Sequence, residues 1–247
     1  MADMLRLALD PAAFATELLG FVLDPWQADA LRWPGKRLLL NCARQSGKST
    51  MAAILGLHRA LYYPGSLVLL VSPSLRQSSE LFKKVSDQLD KLDTPPALVE
   101  DNKLSMTMVN RSRVVSLPSS EATIRGFSGA NLIIEDEAAR APEATYKAVR
   151  PMLAVSGGKL ILMSTPWGRR GHFWDAWDHG AAWKRVMVTA EQCPRIPAAF
   201  LAEERETLGD WWYFQEYFCL FQDSQTAAFT FDDIQKAFSG KVKEWKL

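Results

Sequence analysis

The sequence predicts an α/β domain in which a mostly parallel β-sheet is covered by α-helices. Apolar runs at residues 37–41, 66–72, 132–135 and 160–164 have the length and composition of buried strands. Segments with helical spacing lie between these runs, and this alternation is typical of a parallel sheet with helical connections. The length of 247 residues suits one large domain, or a domain with a small appendage.

Local signals bound the other predicted elements. The pairs Asp10-Pro11 and Asp24-Pro25 each indicate a helix start, because Asp caps a helix and Pro favours its first position. Alternation on both sides of residues 110–112 predicts a hairpin. Apolar spacing predicts helices at residues 48–61, 78–92, 142–153, 197–208 and 210–220 and a strand at 185–189. We predict a core domain at residues 1–180 and a small helical lid or linker subdomain at residues 181–247.

Composition and charge exclude several classes of protein. The 29 basic and 28 acidic side chains leave a net charge of +1, which argues against a DNA-coating basic arm or an acidic tail. No apolar run approaches the ~20 residues that span a bilayer, so no membrane association is expected. The three cysteines are few and widely spaced, which favours a reducing compartment without a disulfide framework.

The loop after the first predicted strand has the composition of a phosphate-binding loop. A strand precedes it and a helix follows it, so its backbone N–H groups face an anion at the helix N-terminus. Lys48 would neutralise the β- and γ-phosphates of ATP, and the Ser49 hydroxyl would hold Mg²⁺. We expect the loop to bind nucleotide through Cys42, Ala43, Arg44, Gln45, Ser46, Gly47, Lys48, Ser49 and Thr50. Cys42 replaces the glycine that usually begins such a loop. The alternative to a phosphate-binding loop is that Lys48 is an ordinary exposed lysine at the start of a helix.

A second motif would supply the carboxylate that holds Mg²⁺ and the general base that activates water. The buried run at residues 132–135 ends in Glu135, Asp136 and Glu137, at the strand end where ligands bind in open α/β sheets. Asp136 is expected on the metal side, and Glu137 is expected to polarise the attacking water as general base. The alternative is a polar strand end. The 88 positions from Lys48 to Asp136 leave room for an intervening strand.

Three arginines are candidates for stabilising charge on the transferred phosphoryl group. Arg44 lies in the loop itself, Arg125 lies in a glycine-containing loop before the acidic strand, and Arg140 follows the acidic pair. Each alone could instead be a surface arginine.

Two further polar sites complete the predicted nucleotide site. Ser164 and Thr165 end a buried strand, where hydroxyls can sense the γ-phosphate, although a strand-terminating turn explains them equally well. Gln27 lies just upstream of the loop strand, and its amide can donate to and accept from an adenine edge. A surface glutamine is the alternative.

Taken together, these motifs resemble those of the large terminase subunit of tailed phages. The similarity rests on the loop at residues 43–49, the segments 124–126, 133–139 and 164–166, and the adenine-side segment 24–27, and it covers about residues 20–170. An arginine-bearing loop without its first glycine is typical of that family. The resemblance implies a P-loop NTPase fold of the ASCE/RecA-like kind that uses ATP and Mg²⁺.

The family resemblance also implies a biological role. It implies an ATPase ring on a procapsid portal in the host cytoplasm that drives double-stranded DNA inward. The implied partners are the portal protein, the small terminase subunit and a C-terminal nuclease domain, with the isolated domain monomeric. By similarity, Ser164 and Thr165 match the coupling motif, Arg44 matches the loop arginine, and Arg125, before Arg140, is the finger that reaches a neighbouring subunit.

Two other functions and one absence complete the expectations. No converging set of carboxylates follows residue 220, so a nuclease domain is expected to be absent from this chain. A helicase-like DNA translocase shares the motifs but would need a second sheet domain. An ATP-binding assembly module with weak intrinsic hydrolysis remains open, because a finger from a neighbour would leave an isolated domain slow.

Overall fold

A computed structural model describes residues 2–119, 124, 126–223 and 231–238. Within these residues one sheet has the strand order β3-β4-β5-β2-β6-β7-β1-β8. The strands are β1 (Arg37–Cys42), β2 (Leu67–Ser72), β3 (Leu98–Asn102), β4 (Ser105–Met108), β5 (Arg113–Pro118), β6 (Leu132–Asp136), β7 (Lys159–Ser164) and β8 (Lys184–Val188). All neighbouring pairs from β5 to β8 are parallel, and only the edge pairs β3–β4 and β4–β5 are antiparallel. The predicted α/β class with a mostly parallel sheet is confirmed.

Helices precede, connect and follow the strands among the described residues. They are α1 (Ala2–Leu9), α2 (Pro11–Glu17), α3 (Pro25–Arg32), α4 (Lys48–Tyr62), α5 (Leu75–Leu89), α6 (Glu143–Val149), α7 (Gly171–Asp178), α8 (Ala198–Glu216) and α9 (Phe231–Ala237). Asp10 caps α2 as predicted, because its carboxylate accepts from the N–H groups of Ala12 and Ala13 at 2.9 and 3.1 Å. No helix among the described residues is long and apolar enough to cross a bilayer.

Side-chain alternation divides the core into two layers, one on each face of the sheet. Leu38 and Leu40 of β1 face the layer that includes α2, α3, α4 and α5, whereas Leu39 between them faces the layer that includes α6 and α7. Strand β6 alternates in the same way, with Ile134 in the first layer and Ile133 in the second. Parallel strands covered on both faces are expected to be apolar throughout, which is why these runs are continuous in the sequence.

The sheet extends further along the chain than predicted. Strand β8 lies beyond the predicted core boundary at residue 180, yet it pairs with β1 from Leu38–Lys184 to Cys42–Val188. The apolar run is missing because β8 is an edge strand, and only Val188 is buried in it. The sheet therefore continues beyond residue 180, and the division into a core at residues 1–180 and a lid or linker subdomain at residues 181–247 stays a prediction.

Three elements were not predicted, namely α1, β3 and α7. Strand β3 has four exposed residues and no apolar run, so its only signal is pairing with β4. The two helices predicted at residues 197–220 are continuous as α8 except at Gly209, whose φ of 74° breaks the helical backbone. The predicted hairpin is present as β4 and β5 around Arg111, which has a φ of 67°.

Candidate functional site

The loop from β1 to α4 has the backbone form of an anion cradle. Gly47 caps α4 with a φ of 90°, and Gln45 has a φ of 59°, so two residues with left-handed backbone fold the loop over the helix N-terminus. A Cβ at Gly47 would lie 2.8 Å from the Nε2 atom of Gln27. This position therefore requires glycine both for its backbone angle and for its close approach to Gln27.

Two loop residues contribute less through their side chains than the motif suggests. Cys42 is fully buried, and burial raises the pKa of its thiol to about 12, so its side chain packs in the core and only its main chain can serve a phosphate. This inward packing explains how the loop tolerates a residue other than glycine here. Ser46 is also buried, and its hydroxyl has no hydrogen-bond partner among the described residues. Ala43 is buried, whereas Ser49 and Thr50 are partly exposed at the start of α4.

The loop lysine meets the acidic motif across the sheet. Strand β7 lies between β1 and β6 in the sheet, whereas the 88 positions from Lys48 to Asp136 contain β2, β3, β4 and β5. The Nζ atom of Lys48 lies 3.8 Å from the Oε1 atom of Glu137, and the Lys48 side chain is only 9% exposed. Glu137 has a φ of 50°, a costly left-handed conformation for a non-glycine residue that is typical of functional sites. The two motifs therefore form one cleft at the carboxyl ends of the strands.

Asp136 has the electrostatics of a cation ligand. It is buried at the end of β6, and burial, together with the Glu137 carboxylate, raises its pKa to about 6, while Lys48 and Lys84 act in the opposite direction. A divalent cation would favour the ionised form of this carboxylate and offset the desolvation. The buried carboxylate, the Lys48 ammonium and the unpaired Ser46 hydroxyl together fit a magnesium–nucleotide complex.

Glu137 accepts hydrogen bonds from two other candidate residues of the predicted nucleotide site. Its Oε2 atom accepts hydrogen bonds from the Nη1 atom of Arg140 at 3.0 Å and from the Ser164 hydroxyl at 3.2 Å. Arg140 also donates to the Thr165 hydroxyl at 2.9 Å and stacks on Trp167 with its guanidinium carbon 4.5 Å from the ring centroid. The ends of β6 and β7 are therefore linked directly through the candidate base.

Both described candidate arginines converge on one carboxylate. Glu216, at the end of α8, accepts from the Nε atom of Arg44 at 2.6 Å and from the Nη2 atom of Arg140 at 2.8 Å. The Glu216 side chain is 8% exposed, whereas that of Arg44 is 61% exposed. Arg125 lies outside the described residues. Arg44 and Arg140 thus share one anchor on α8, which links the cleft to the predicted lid.

An arginine that the sequence did not single out ties Asp24 to the loop. Arg195 donates to both carboxylate oxygens of Asp24, at 2.9 and 2.7 Å, and to the main-chain oxygen of Ser46 at 3.1 Å. The Arg195 hydrogen bonds hold the pKa of Asp24 below its usual range. The Oε1 atom of Gln27 accepts from the Asp24 N–H at 2.9 Å, which leaves its Nε2 donor facing Gly47.

A cavity of about 540 Å³ opens beside the loop. Its walls combine two guanidinium groups with apolar and aromatic side chains, and its lining residues are Arg44, Gln45, Arg195, Ile196, Pro197, Phe200 and Tyr217. This volume falls in the usual range for small-molecule sites, and the mixed lining is typical of them.

A second buried carboxylate lies on the opposite face of β6. Glu135 is fully buried and accepts from, or donates to, the Nε2 atom of His172 on α7 at 3.1 Å. The His172 ring stacks on Tyr146 at a centroid distance of 4.7 Å. Successive residues of the acidic motif thus face different layers, and Glu135 is remote from the loop lysine's side of the sheet.

The residues that sequence reasoning missed are Glu216, Arg195 and Trp167. Glu216 is surrounded in the sequence by Tyr213, Phe214, Tyr217 and Phe218. A carboxylate among aromatic residues is expected to be buried and therefore paired with a cation, and this signal could have identified it. For Arg195 and Trp167 the local sequence offers no comparable signal.

The sequence is similar to those of known proteins. The sequence profile of the family described as "Terminase large subunit, T4likevirus-type, N-terminal" matches residues 39–236. The large terminase subunit of Thermus phage G20c is 28% identical over 179 residues, which are 65% of this chain and 37% of that protein. The chain therefore spans well under half the length of this relative.

Solved structures share the fold. The ATPase domain of the Thermus phage P74-26 large terminase matches with a TM-score of 0.77 at 23% identity, covering 86% of this chain and 99% of that one. The large terminase of another thermophilic bacteriophage, solved in complex with ATP-gamma-S, matches with a TM-score of 0.63 at 12% identity, covering 81% and 53%. These likenesses confirm the fold predicted from the motifs.

Proposed function

Because the chain belongs to the family of large terminase subunits, whose N-terminal domain it matches, we propose that it is an ATP-hydrolysing motor domain that drives double-stranded viral DNA into a procapsid. The observation that carries the proposal is the 3.8 Å approach of Lys48 to Glu137, which unites the phosphate loop with the acidic strand end. A lysine for phosphate and a carboxylate for water are the two groups that ATP hydrolysis requires in one cleft.

In this proposal the loop holds the phosphates and the acidic residues hold the metal and the water. Lys48 and the loop N–H groups bind the β- and γ-phosphates, and the Ser49 hydroxyl and the Asp136 carboxylate would hold Mg²⁺. When bound there, Mg²⁺ would supply positive charge beside the phosphate oxygens. Glu137 takes the proton of the attacking water, since its carboxylate lies in the cleft and is oriented by Ser164 and Arg140.

The arginines stabilise the charge that develops during transfer. Arg44 and Arg140 act from within the same chain, because Arg44 lies in the loop, Arg140 follows the acidic motif, and both side chains are held by Glu216. Arg125 is the proposed finger for a neighbouring subunit in a ring. Ser164 donates a hydrogen bond to Glu137, and Thr165 accepts one from Arg140. In this proposal the two residues transmit a change of bound nucleotide from the cleft to β7.

The cavity beside the loop is the proposed site of the adenine base and ribose. Phe200, Ile196 and Pro197 offer apolar surface to a purine ring, and the amide of Gln27 lies next to Gly47 at the loop. Arg195 connects the cavity with the phosphate loop. It lies on the cavity wall, and it donates hydrogen bonds to Asp24 and to the main-chain oxygen of Ser46.

The partners follow from the family and are part of the proposal. We infer a homo-oligomeric ring when assembled and a monomer in isolation, acting in the host cytoplasm and at the portal vertex of the procapsid. The portal protein, the small terminase subunit, duplex DNA and a nuclease domain of the full-length protein are the expected partners. A second candidate, an ATP-binding assembly module with weak hydrolysis, is favoured by the bonds that already engage Glu137.

Two variants test the proposal and separate its two candidates. Lys48→Ala is expected to lose ATP binding, measured with a fluorescent nucleotide, whereas Lys91→Ala, an exposed lysine outside the cleft, keeps it. Glu137→Gln is expected to bind ATP normally and to hydrolyse it about 10²-fold more slowly. Normal ATP affinity in Lys48→Ala refutes the phosphate-loop assignment. Hydrolysis that is equally slow in wild type and Glu137→Gln favours the assembly module.

A further inference from the structure

We propose that the edge of the sheet opposite the nucleotide cleft is a binding surface for the phosphate backbone of duplex DNA. The surface, here called the basic edge, consists of Lys36, Arg37, Arg59, Arg150, Lys159 and Lys184. The choice of duplex DNA as the polyanion rests on the proposed motor function. The observations that define the basic edge do not depend on that function.

The sheet brings the first residues of three adjacent strands into one row along its edge. Lys159 begins β7, Arg37 begins β1 and Lys184 begins β8; by the register, Lys159 and Lys184 lie on the face of Leu38, and Arg37 lies on the face of Leu39. Since adjacent strands are about 4.8 Å apart, the row spans about 10 Å, or the rise of about three base pairs. The remaining members flank the row, because Arg59 acts electrostatically on Lys159 and Arg150 on Arg37.

The basic edge carries positive charge that the carboxylates of the described residues leave unpaired. None of its six members forms an ion pair within 4 Å with a carboxylate of the residues that the structure describes. Asp10, beside this region, is engaged by Arg32. Burial lowers the pKa of Arg37, Arg59 and Lys159, and a neighbouring cation lowers that of Arg37 and Lys159 further. In a chain of net charge +1, this clustering favours an anion supplied from outside.

Aromatic rings hold three of the cationic side chains in place. Arg59 stacks on Tyr63 at 4.0 Å, Arg150 on Tyr146 at 5.4 Å and Lys184 on Trp33 at 5.5 Å from the ring centroids. Cation–π contacts of this kind reduce the conformational freedom of long side chains. An anion that meets these groups therefore costs less ordering entropy than it would at freely rotating surface lysines.

A cavity at the same edge has buried donors without acceptors. It measures about 310 Å³, and Arg59, Lys159 and Trp33 are among its lining residues. The Nε atom of Arg59 and the Nε1 atom of Trp33 are buried and have no hydrogen-bond partner among the described residues. Buried donors normally have acceptors, so these two point to an incoming oxygen such as a phosphate oxygen.

The basic edge is separate from the nucleotide cleft. Strand β1 has six residues between Arg37 and Cys42, which is about 17 Å from one edge to the other. Arg59 lies eleven residues beyond Lys48 along α4, or about 16 Å. Charge changes at the basic edge are therefore expected to leave basal ATP hydrolysis unchanged.

The test compares two triple variants of the 247-residue chain with equal charge loss. The edge variant carries Lys36→Gln, Arg150→Gln and Lys184→Gln, all at exposed positions. The control variant carries Arg76→Gln, Lys83→Gln and Lys91→Gln, also exposed. Binding to a 30-base-pair duplex of mixed sequence is followed by fluorescence anisotropy across a range of NaCl concentrations.

The edge variant is expected to lose about 10²-fold or more in affinity near 0.1 M salt, and its slope of log K against log salt is expected to fall by roughly 2 to 3, at about 0.9 for each lost phosphate contact. The control variant should match the wild type. Equal losses in both variants, or none in the edge variant, overturn the proposal. Loss of poly-glutamate binding with unchanged DNA binding also overturns it and assigns an acidic protein instead.

Two further measurements separate this proposal from the motor function. The edge variant should hydrolyse ATP at the wild-type rate, which shows that its cleft is intact. Lys48→Ala should bind duplex DNA like the wild type even though it fails to bind nucleotide. Failure of the phosphate-loop assignment would appear only in nucleotide binding, and failure of the basic edge only in DNA binding.

Discussion

Glu216 accepts a hydrogen bond from the Nε atom of Arg44 at 2.6 Å, across 172 positions of sequence. The same carboxylate binds Arg140 at 2.8 Å, so one buried acid on α8 holds an arginine from each of the two nucleotide motifs. Helix α8, which belongs to the predicted lid, is therefore attached to the cleft by ion pairs as well as by apolar packing. That packing joins Ala43, Ala190, Leu201, Tyr213, Tyr217 and Cys219.

Glu216→Gln is expected to lower the free energy of unfolding by about 2 kcal/mol, because hydrogen bonds to charged groups are the stronger ones and Arg140 would lose its buried partner. The exposed Arg44 contributes little to this loss, since solvent screens it. Urea denaturation measures the change. Glu206→Gln, at an exposed position of the same helix, should be neutral, and an equal effect of the two substitutions would contradict the anchoring role.

Gly47→Ala should impair both stability and ATP affinity. A φ of 90° costs an alanine about 1–2 kcal/mol, and its Cβ would in addition press on the Gln27 amide. Gly20→Ala is a matched control, because Gly20 has a φ of 65° with open space around it. Both variants should lose stability in urea denaturation, but only Gly47→Ala should weaken binding of a fluorescent ATP analogue, by about tenfold or more. Unchanged affinity in Gly47→Ala would show that the loop tolerates the displacement.

His58 is expected to make the fold less stable in acid. Its ring packs against Phe14 and Tyr62, and its Nε2 atom lies 2.9 Å from the main-chain oxygen of Leu7. Burial lowers the pKa of His58, and Arg59 adds to this, while the Leu7 bond and Asp10 oppose it. The unfolded chain then binds a proton at a higher pH than the folded chain does. Stability therefore falls as the pH drops below about 6.5, the usual pKa of histidine.

The measurement is the free energy of unfolding at pH 7.5 and pH 5.5. His58→Gln keeps a donor but cannot titrate, so its stability should fall less between these pH values than that of the wild type. Because pH 5.5 lies one unit below the usual histidine pKa, the difference is at most about 1.4 kcal/mol. His179→Gln removes an exposed imidazole and should behave like the wild type. Identical pH dependence in all three proteins would exclude His58 as a source of acid sensitivity.

The sequence predicted best those elements that are recognisable from residues close together along the chain. The strand before Cys42 and the helix after Lys48 were predicted because apolar spacing and loop composition are local properties. Strand β8 was predicted as an element but placed outside the core, because its membership of the sheet depends on pairing with β1. Pairing partners distant in sequence leave no mark on local composition.

The same limit applies to the site. The approach of Lys48 to Glu137 could be expected, because the loop after β1 and the end of β6 lie at the same edge of a parallel sheet, whereas the roles of Lys48, Asp136 and Glu137 stay predictions. The bond between Arg195 and Asp24 joins positions 171 residues apart, and neither residue has a local neighbour that requires the pairing. Arg140 was predicted as a candidate, but its bonds to Glu137, Thr165 and Glu216 depend on the tertiary fold.

The alternation of the carboxylates at the end of β6 fixes the register of this strand. Glu135 needs His172 of α7 on one face, and Asp136 needs the loop lysine's side of the sheet on the other. A shift of one residue would carry each carboxylate to the opposite face and leave both buried without their partners, at a cost of several kcal/mol. Glu135 and Asp136 together therefore favour a single register of β6 relative to its neighbouring strands. A single-residue deletion between Leu132 and Ile134 should abolish folding rather than merely displace Glu137.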